Sequence, residues 1–315
     1  MTPKFHTLFI SDIRKETEDT VSIAFDVPFE LKNDYAFLAG QYLTLKTIIN
    51  GEDIRRSYSL CSAPHEGEHR VAIKEVENGV FSTFANNTLK KGVSIDVMTP
   101  TGNFCLHPAK EANKSYALFA AGSGITPILS IAKTVLHEEP NSDVTLFYGN
   151  KNFNSINFRE ALEALKNTHM DRLRIVHVLS RESLGNKIQK GRIDKEKCTE
   201  LYAAFLANNP VDGVYICGPE EMILGVKDSL VENGVDGKSI HFELFTTPGV
   251  KKTEVKVVAN EASIASNVTI ILDGDVIGLS MNSSGESILD VAQKAGADLP
   301  FACKGGVCCT CKAKI

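Results

Sequence analysis

The 315-residue sequence predicts a multidomain fold: an antiparallel β-barrel or sandwich, then an α/β domain with a parallel sheet, then a shorter cysteine-rich region. Three observations predict it. Short β-like runs separated by turn residues fill the first third of the chain. Longer apolar runs then alternate with amphipathic helical stretches. Finally, four of the 8 cysteines crowd together near the end of the sequence.

Composition limits the classes of function. A hydrophobic content of 43% with 23% charged residues is typical of a soluble globular protein. The 34 basic and 39 acidic residues give a net charge of −5, which disfavours nucleic acid as a partner. There is no signal-peptide pattern and no apolar run of roughly 18 residues, so we expect a cytoplasmic protein without a membrane partner. In that compartment clustered cysteines more often bind metal than form disulfides.

The first predicted domain covers residues 1–108. Its β-like runs include residues 21–25, 41–46 and 71–74, and Gly-containing turns separate them. One short helix is expected near residues 82–89. Regular short strands with turn signals indicate an antiparallel barrel or sandwich.

The second predicted domain covers residues 109–246. Five apolar strands begin at Tyr116, Val144, Leu173, Gly213 and His241. Helical stretches lie between them at residues 127–137, 157–167, 195–208 and 219–233. This spacing indicates βαβ units and a parallel sheet, whose ligands bind beyond the carboxyl ends of the strands.

A glycine-rich turn, Gly122-Ser123-Gly124-Ile125-Thr126-Pro127, follows the first strand of this domain and opens a helix. Gly122 and Gly124 would let the backbone approach a pyrophosphate, whose charge is met by the helix N-terminus. We expect Thr126 to be the N-cap and Pro127 the first helical residue. Pro127 replaces the third glycine of the usual fingerprint, and a purely structural turn is the alternative interpretation.

The choice between NADPH and NADH is expected at the ends of the next two strands. The first of these ends, Gly149-Asn150-Lys151, has no carboxylate of the kind that usually holds the ribose of NAD. Instead Ser180, Arg181 and Arg192 are available, and a hydroxyl with guanidinium groups suits the 2′-phosphate of NADPH. These residues are alternatively ordinary solvated surface groups.

Two shorter motifs indicate a cofactor site less specifically than the glycine-rich turn does. In the first domain, Arg56, Tyr58 and Ser59 could pair with a phosphate and stack on a planar ring, or could simply belong to a strand. In the second, Cys217-Gly218-Pro219 ends a strand and should line the same cleft as the glycine-rich turn. A packed cysteine before a helix-starting proline is the alternative there.

Beyond a predicted linker at residues 247–254, residues 255–315 form the third predicted domain. A hairpin is expected at residues 268–275, and a short helix begins at Ser287. Cys303, Cys308 and Cys311 then have the C-x4-C-x2-C spacing of a plant-type [2Fe–2S] site. A zinc site is the alternative, although it usually needs paired C-x2-C elements or histidines. A distant fourth cysteine is also needed, and only four residues follow Cys311.

Taken together, these motifs resemble the ferredoxin–NADP reductase superfamily with a fused plant-type ferredoxin. The resemblance covers essentially the whole chain. It implies an antiparallel β-barrel flavin domain, an α/β parallel-sheet nucleotide-binding domain and a truncated β-grasp ferredoxin-like domain. Residues 5–8, 191–194 and 302–308 are most similar to one branch of the family, the reductase subunits of bacterial phenylacetyl-CoA epoxidase complexes. Ala39 replaces the proline of the family's Pro-Gly-Gln-Tyr element.

The resemblance also implies roles for individual residues. In the flavin domain, Arg56 corresponds to a ligand of the FAD phosphate, Tyr58 packs on the isoalloxazine ring and Ser59 lies near flavin N5. The residues implied to bind the FAD pyrophosphate are Gly79, Phe81 and Ser82. The residues implied to hold NADPH are Gly122, Gly124, Thr126, Cys217, Gly218 and Pro219. Glu243 and Phe245 would reach back to the flavin, and Ser59, Cys217 and Glu243 form the implied catalytic set.

The function implied is an NADPH-dependent reductase. Electrons would pass from NADPH through FAD and a [2Fe–2S] cluster to the oxygenase subunits of a multicomponent complex, a di-iron enzyme acting on phenylacetyl-CoA. A reductase of the same architecture for another oxygenase or a hybrid-cluster protein is one alternative. A zinc- and nucleotide-binding module without turnover is an alternative from a different class.

Overall fold

The computed structural model describes residues 3–245, 265–272, 275–282 and 286–297, together with positions 299, 301, 310, 311 and 313. The chain divides into two units. One is Phe5–Phe245; the other combines Met1–Lys4 with Thr246–Ile315. The predicted linker, Cys303 and Cys308 lie outside the described residues.

A six-stranded antiparallel sheet forms the first part of the larger unit, in the order β4-β3-β6-β1-β2-β5. Its strands are β1 (Phe5–Thr17), β2 (Thr20–Asp26), β3 (Tyr42–Ile49), β4 (Glu52–Ser59), β5 (His69–Lys74) and β6 (Ser94–Met98). A bridge between Leu60 and Val71 joins the two edges, so the sheet closes on itself. Closure removes both exposed edges, which favours a barrel over a sandwich.

Apolar side chains from every strand except β4 fill the barrel, with Leu60 joining them directly after β4. Ile23, Leu43 and Val97 are fully buried there. The helix α1 (Val80–Asn87) covers one end and contributes Phe81 and Ala85 to this core. The predicted helix at residues 82–89 is therefore present and begins two residues earlier.

A five-stranded parallel sheet follows, in the order β11-β10-β7-β8-β9. Its strands are β7 (Ser115–Ala121), β8 (Asp143–Asn150), β9 (Leu173–Leu179), β10 (Gly213–Gly218) and β11 (Ile240–Leu244). The helices are α2 (Ile125–Glu138), α3 (Arg159–Thr168), α4 (Lys195–Phe205) and α5 (Glu220–Glu232). The strand order reverses between β7 and β10, which makes their carboxyl ends the switch point where ligands bind.

Two hydrophobic clusters, one on each face of this sheet, explain why the inner strands β7, β8 and β10 are buried along almost their whole length. The edge strands β9 and β11 also carry exposed polar residues. All five predicted strands are confirmed, and their starts agree with the prediction to within one residue. The prediction for the start of α2 is wrong. That helix begins at Ile125 with Gly124 as its N-cap, so Thr126 and Pro127 are its second and third residues. Pro127 fits there because first-turn amides lack helical partners.

The second unit contains an antiparallel hairpin and a short helix. Strands β12 (Ala265–Leu272) and β13 (Asp275–Asn282) pair in continuous register from Ala265–Asn282 to Leu272–Asp275. The helix α6 (Ile288–Lys294) has Ser287 as its N-cap, and the Ser287 hydroxyl accepts a hydrogen bond from the backbone N–H of Asp290. Both elements agree with the sequence prediction. Across the described ranges, no helix is long and apolar enough to cross a membrane.

Candidate functional site

The turn after β7 meets the end of β10 at the switch point. Gly122 has a φ of 53°, in the left-handed region that favours glycine. A Cβ atom on Gly124 would overlap the carbonyl group of Cys217, and one on Gly218 would lie 2.6 Å from Cε of Met222. Backbone therefore packs directly on backbone at this point, which explains why the motif needs glycine.

Two side-chain hydroxyl groups stabilise this turn by hydrogen bonds to its backbone. The Tyr148 hydroxyl donates to the carbonyl oxygen of Gly122 at 3.0 Å, and the Thr126 hydroxyl donates to that of Ser123 at 3.1 Å. Thr126 is thus a support for the turn. The N-terminus of α2 follows directly and carries the positive end of the helix dipole. A backbone turn that hydrogen bonds fix beside a helix N-terminus is suited to bind a pyrophosphate.

The ends of β8 and β9 form the neighbouring edge of the cleft. The backbone N–H groups of Ser180 and Arg181 donate to the carbonyl oxygens of Asn150 and Lys151 at 2.9 and 2.8 Å. Leu179 also forms a parallel bridge with Lys190. Arg181 and Arg192 thus each stand two residues after a bridged residue, and both are exposed. This brings the backbones of the two predicted arginines to one edge of the sheet.

Asn150 is a candidate that the sequence prediction missed. Its side chain is 9% exposed, and within the described residues its Nδ2 atom has no hydrogen-bond partner. A buried donor without a partner is costly, so an acceptor such as a ribose or phosphate oxygen fits here. The only signal in the sequence was its position at the end of a strand.

The motif Arg56–Ser59 lies on β4, where successive side chains alternate between the two faces of the sheet. Ser59 pairs with Tyr42, and Tyr58 pairs with Leu43, so consecutive side chains point to opposite faces. Arg56 is half-buried and donates from Nη1 to the carbonyl oxygen of Arg55 at 2.7 Å. The ring of Tyr58 lies 5.7 Å from that of Phe81, centroid to centroid.

The Gly79–Ser82 stretch forms the start of α1. The Ser82 hydroxyl accepts from the N–H of Val76 and donates to the carbonyl oxygen of Gly79, both at 3.2 Å. Phe81 is 1% exposed and belongs to the barrel core. Phe81 therefore supports the ring of Tyr58 from the barrel core, and a contact of Phe81 with a flavin stays a prediction.

The three predicted catalytic residues come together where the barrel meets the parallel sheet. The Ser59 hydroxyl, at the end of β4, donates to Oε2 of Glu243 on β11 at 3.2 Å. Glu243 is in register with Cys217 on the neighbouring β10. Burial raises the pKa of Glu243 to about 7, and the Ser59 hydrogen bond opposes that rise. Burial, followed by the Glu243 charge, raises the pKa of Cys217 well above its usual value.

Cys105 is a second residue that the sequence prediction missed. Its half-buried thiol donates to the carbonyl oxygen of Gly102 at 3.3 Å, and burial together with the Glu243 charge raises its pKa to about 11. Neighbouring Phe104 packs edge-on against Tyr215 of β10 at 5.5 Å. The segment after β6 thereby joins the junction, and no motif marked it in the sequence.

The remaining described residues of the predicted site, Pro219, Phe245 and Cys311, are exposed. Pro219 is exposed and is the N-cap of α5, while Phe245 is 40% exposed after β11. Of the predicted cluster ligands, only Cys311 is described, and its side chain is exposed. The C-x4-C-x2-C arrangement itself stays a prediction.

Three family models match the chain in the predicted order. An oxidoreductase FAD-binding domain matches residues 8–105, and an oxidoreductase NAD-binding domain matches residues 118–228. A 2Fe-2S iron-sulfur cluster binding domain matches residues 272–315. The cysteine-rich region is therefore similar to 2Fe–2S domains, which favours that interpretation over the zinc site.

Similar proteins cover nearly the whole chain. It is 43% identical over 311 residues to one of the subunits of 1,2-phenylacetyl-CoA epoxidase from Escherichia coli (strain K12), covering 99% of this chain and 86% of that protein. It is 32% identical to the 3-ketosteroid-9-alpha-monooxygenase, ferredoxin reductase component, of Rhodococcus rhodochrous, covering 98% and 85%. Among solved structures, the flavohem-like FAD/NAD binding domain of nitric oxide dioxygenase from Vibrio cholerae O1 biovar El Tor is 26% identical, with a TM-score of 0.64 over 76% of this chain and 98% of that one.

Proposed function

The chain belongs to the ferredoxin–NADP reductase superfamily, in the group with a C-terminal 2Fe–2S domain, and we propose that it is the reductase component of a multicomponent oxygenase. In this proposal, electrons pass from NADPH through FAD and a [2Fe–2S] cluster to the oxygenase subunits. The single observation that carries it is the Ser59–Glu243 hydrogen bond, which joins the FAD-binding barrel to the NAD-binding sheet.

When bound, the flavin supplies the conversion of a two-electron hydride donor into a source of single electrons. The chain supplies binding, orientation and charge. Gly122, Gly124 and the N-terminus of α2 bind the NADPH pyrophosphate, while Cys217 and Gly218 form the adjacent floor of the cleft. Arg56 and the turn at Gly79 bind the phosphates of FAD.

Glu243 has a specific role because its pKa of about 7 lets it hold or release a proton near neutral pH. The Ser59 hydroxyl fixes the carboxylate at Oε2 and keeps it at the junction. The buried Cys217 thiol stays protonated, since burial and the Glu243 charge oppose the thiolate. These three residues, with Glu243 half-buried, therefore hold a proton-bearing point between the two cofactor sites.

Arg181 and Arg192 favour NADPH over NADH in this proposal. Their backbones stand at one edge of the cleft, and Asn150 ends the neighbouring strand β8. Two guanidinium groups suit a dianionic 2′-phosphate, which NADH lacks.

For the electron acceptor we propose the oxygenase subunits of a phenylacetyl-CoA epoxidase, a di-iron enzyme. The 43% identity to a protein of such an epoxidase supports this acceptor over a steroid oxygenase, whose reductase component is 32% identical. Cys303, Cys308 and Cys311 would hold the cluster that delivers the electrons.

Anaerobic titration of the purified protein with NADPH and with NADH tests the proposed flavin and the proposed preference for NADPH. We expect one equivalent of FAD, and bleaching of the flavin absorbance by NADPH at lower concentration than by NADH. A colourless protein that contains zinc but neither iron nor flavin would instead support the non-catalytic zinc and nucleotide-binding module.

Reconstitution tests the acceptor. The reductase is mixed with purified oxygenase subunits of a phenylacetyl-CoA epoxidase and, separately, of a 3-ketosteroid monooxygenase, and NADPH-dependent product formation is measured. We expect turnover only with the epoxidase. Turnover with the steroid enzyme alone, or with neither, would contradict the proposed acceptor while leaving NADPH-dependent flavin reduction intact.

A further inference from the structure

One face of α2 contacts the barrel loop that contains residues 62–66. Ser130, Lys133 and His137 are spaced by three and four residues, so they lie on one face of the helix. The Ser130 hydroxyl donates to the carbonyl oxygen of Ser62 at 2.6 Å, and Nζ of Lys133 lies 2.8 Å from Oε1 of Glu66. These contacts hold the end of α2 at a fixed place against the barrel.

His137, the last of these three residues on α2, contacts His65 of the barrel loop. The rings of His65 and His137 are stacked, with centroids 3.8 Å apart and planes within 7° of parallel. Nδ1 of His137 also lies 2.9 Å from Oε1 of Glu138, at the end of α2. His65 belongs to the barrel and the other two residues to the nucleotide-binding part, so the cluster spans the boundary between them.

The three side chains form a potential metal site. One ligand atom from each, two imidazole nitrogens and one carboxylate oxygen, lie within 4.8 Å of one another. In a tetrahedral zinc site with Zn–N bonds of about 2.0–2.1 Å, two nitrogen ligands stand about 3.3 Å apart. The lone pair of an imidazole nitrogen lies in the plane of the ring, so the two stacked rings must turn out of their parallel arrangement to face one ion. All three side chains are exposed, which leaves room for that rotation.

The cation on the same face of α2 is paired. The positive charge of Lys133 is paired with Glu66, which limits its repulsion of a cation. The cluster also uses no residue of the junction around Ser59 and Glu243.

We propose that His65, His137 and Glu138 bind one zinc ion, or a divalent transition metal of similar preference, across the seam between the FAD-binding barrel and the NAD-binding domain. The two imidazoles supply nitrogen ligands and Glu138 supplies oxygen, a donor set that zinc accepts. Bound metal ties the barrel loop to the C-terminal end of α2 and stabilises the arrangement of the two cofactor-binding parts.

Isothermal titration calorimetry of the oxidised holoprotein with zinc chloride tests this proposal. Because the cysteines of the 2Fe–2S domain can also bind zinc, the comparison is between wild type and His65→Gln/His137→Gln. We expect the double variant to lose one equivalent of zinc. Each single variant should weaken that equivalent at least about tenfold. His107→Gln replaces an exposed histidine outside the cluster and should bind like wild type.

Thermal unfolding gives an independent readout. Zinc should raise the melting temperature of wild type and His107→Gln, because a ligand that binds only the folded state stabilises it. It should have no such effect on the double variant. Equal zinc stoichiometry and affinity in wild type and double variant would overturn the proposal. If the double variant fails to retain flavin, Glu138→Gln replaces it, with weakened binding expected and unchanged binding overturning the proposal.

Discussion

The two phosphate-binding turns of the molecule are built in opposite ways. At Gly124, in the parallel sheet, a side chain would overlap the backbone carbonyl of Cys217. At Gly79, in the barrel, the two overlapping atoms belong to side chains, the Ser82 hydroxyl and a methyl group of Val76, and the backbone carbonyl oxygen of Val76 lies farther away, at 3.0 Å. A side chain can rotate away, whereas a central strand cannot move without disturbing its neighbours. The parallel sheet therefore fixes its site with backbone, and the barrel fixes its site with side chains.

Gly124→Ala should have the largest effect and tests this difference directly. Forcing the added methyl group against β10 costs up to about 3 kcal/mol, which corresponds to about a hundredfold loss of NADPH affinity. Gly79→Ala should lower FAD affinity by about tenfold or less, since the overlapping atoms belong to side chains and the nearest backbone atom lies at 3.0 Å. Binding titrations of each nucleotide measure both. Equal losses in the two variants would contradict the comparison.

Gly122→Ala provides the matched control within the same turn. No atom lies within 4 Å of a Cβ at this position, so only the left-handed backbone conformation opposes the substitution. That conformation costs a residue with a side chain about 1–2 kcal/mol. NADPH affinity should therefore fall less than in Gly124→Ala.

Ser59→Ala tests the point where the two regions meet. Hydrogen bonds to charged groups contribute about 1.5–3 kcal/mol, so the rate of flavin reduction by NADPH should fall about ten- to hundredfold. Because this hydrogen bond lowers the pKa of Glu243, its loss should also move the pH dependence of the rate to higher pH. Stopped-flow measurements across pH check both effects. Ser57→Ala, on the same face of β4, should leave the pH dependence unchanged.

Arg181→Ala and Arg192→Ala test the side-chain contribution to the otherwise backbone-built nucleotide site. Loss of one guanidinium contact to a phosphate should raise the KM for NADPH about tenfold, equivalent to about 1.4 kcal/mol. The KM for NADH should not change. Steady-state kinetics with both nucleotides measures the difference. Arg174→Ala, an exposed arginine on β9, is the control, and equal effects on NADPH and NADH would refute the 2′-phosphate assignment.

Glu243→Gln tests the junction through the pH dependence of stability. The pKa of Glu243 is raised from an ordinary value of 4.5 to about 7 in the folded protein. The folded state thus binds the proton more tightly, and this group loses stabilising free energy as pH rises from about 4.5 to about 7. Urea unfolding should show that wild type loses stability relative to Glu243→Gln across this window. A constant difference between the two proteins would contradict the raised pKa.

Local signals in the sequence predicted the elements well. Strand starts of the parallel sheet followed from apolar runs at βαβ spacing, and the hairpin and Ser287 helix followed from turn and capping residues. The start of α2 was wrong because Ser-, Thr- and Pro-based capping rules assume a side-chain cap. Here Gly124 caps the helix without one, since contact with Cys217 leaves no space for a side chain.

The site was predictable where residues stand close in sequence and not where they meet across elements. Arg56, Tyr58, Ser59 and the Gly122–Thr126 turn were visible as motifs. Asn150 and Cys105 were missed because their importance comes from burial beside groups distant in the chain. The stacking of His65 on His137 was equally hidden, since the two histidines lie far apart along the chain.

The sequence by itself determined the order of the domains, the alternation of strands and helices and the residue types available for phosphate, flavin and iron–sulfur binding. Periodicity and turn chemistry are local properties, and the chain carries them wherever it folds. Only the tertiary structure decided that β4 and β11 end side by side, which places Ser59 3.2 Å from Glu243 and raises the pKa of that carboxyl group. That outcome depends on packing between distant segments, because burial and hydrogen bonding are properties of the assembled fold.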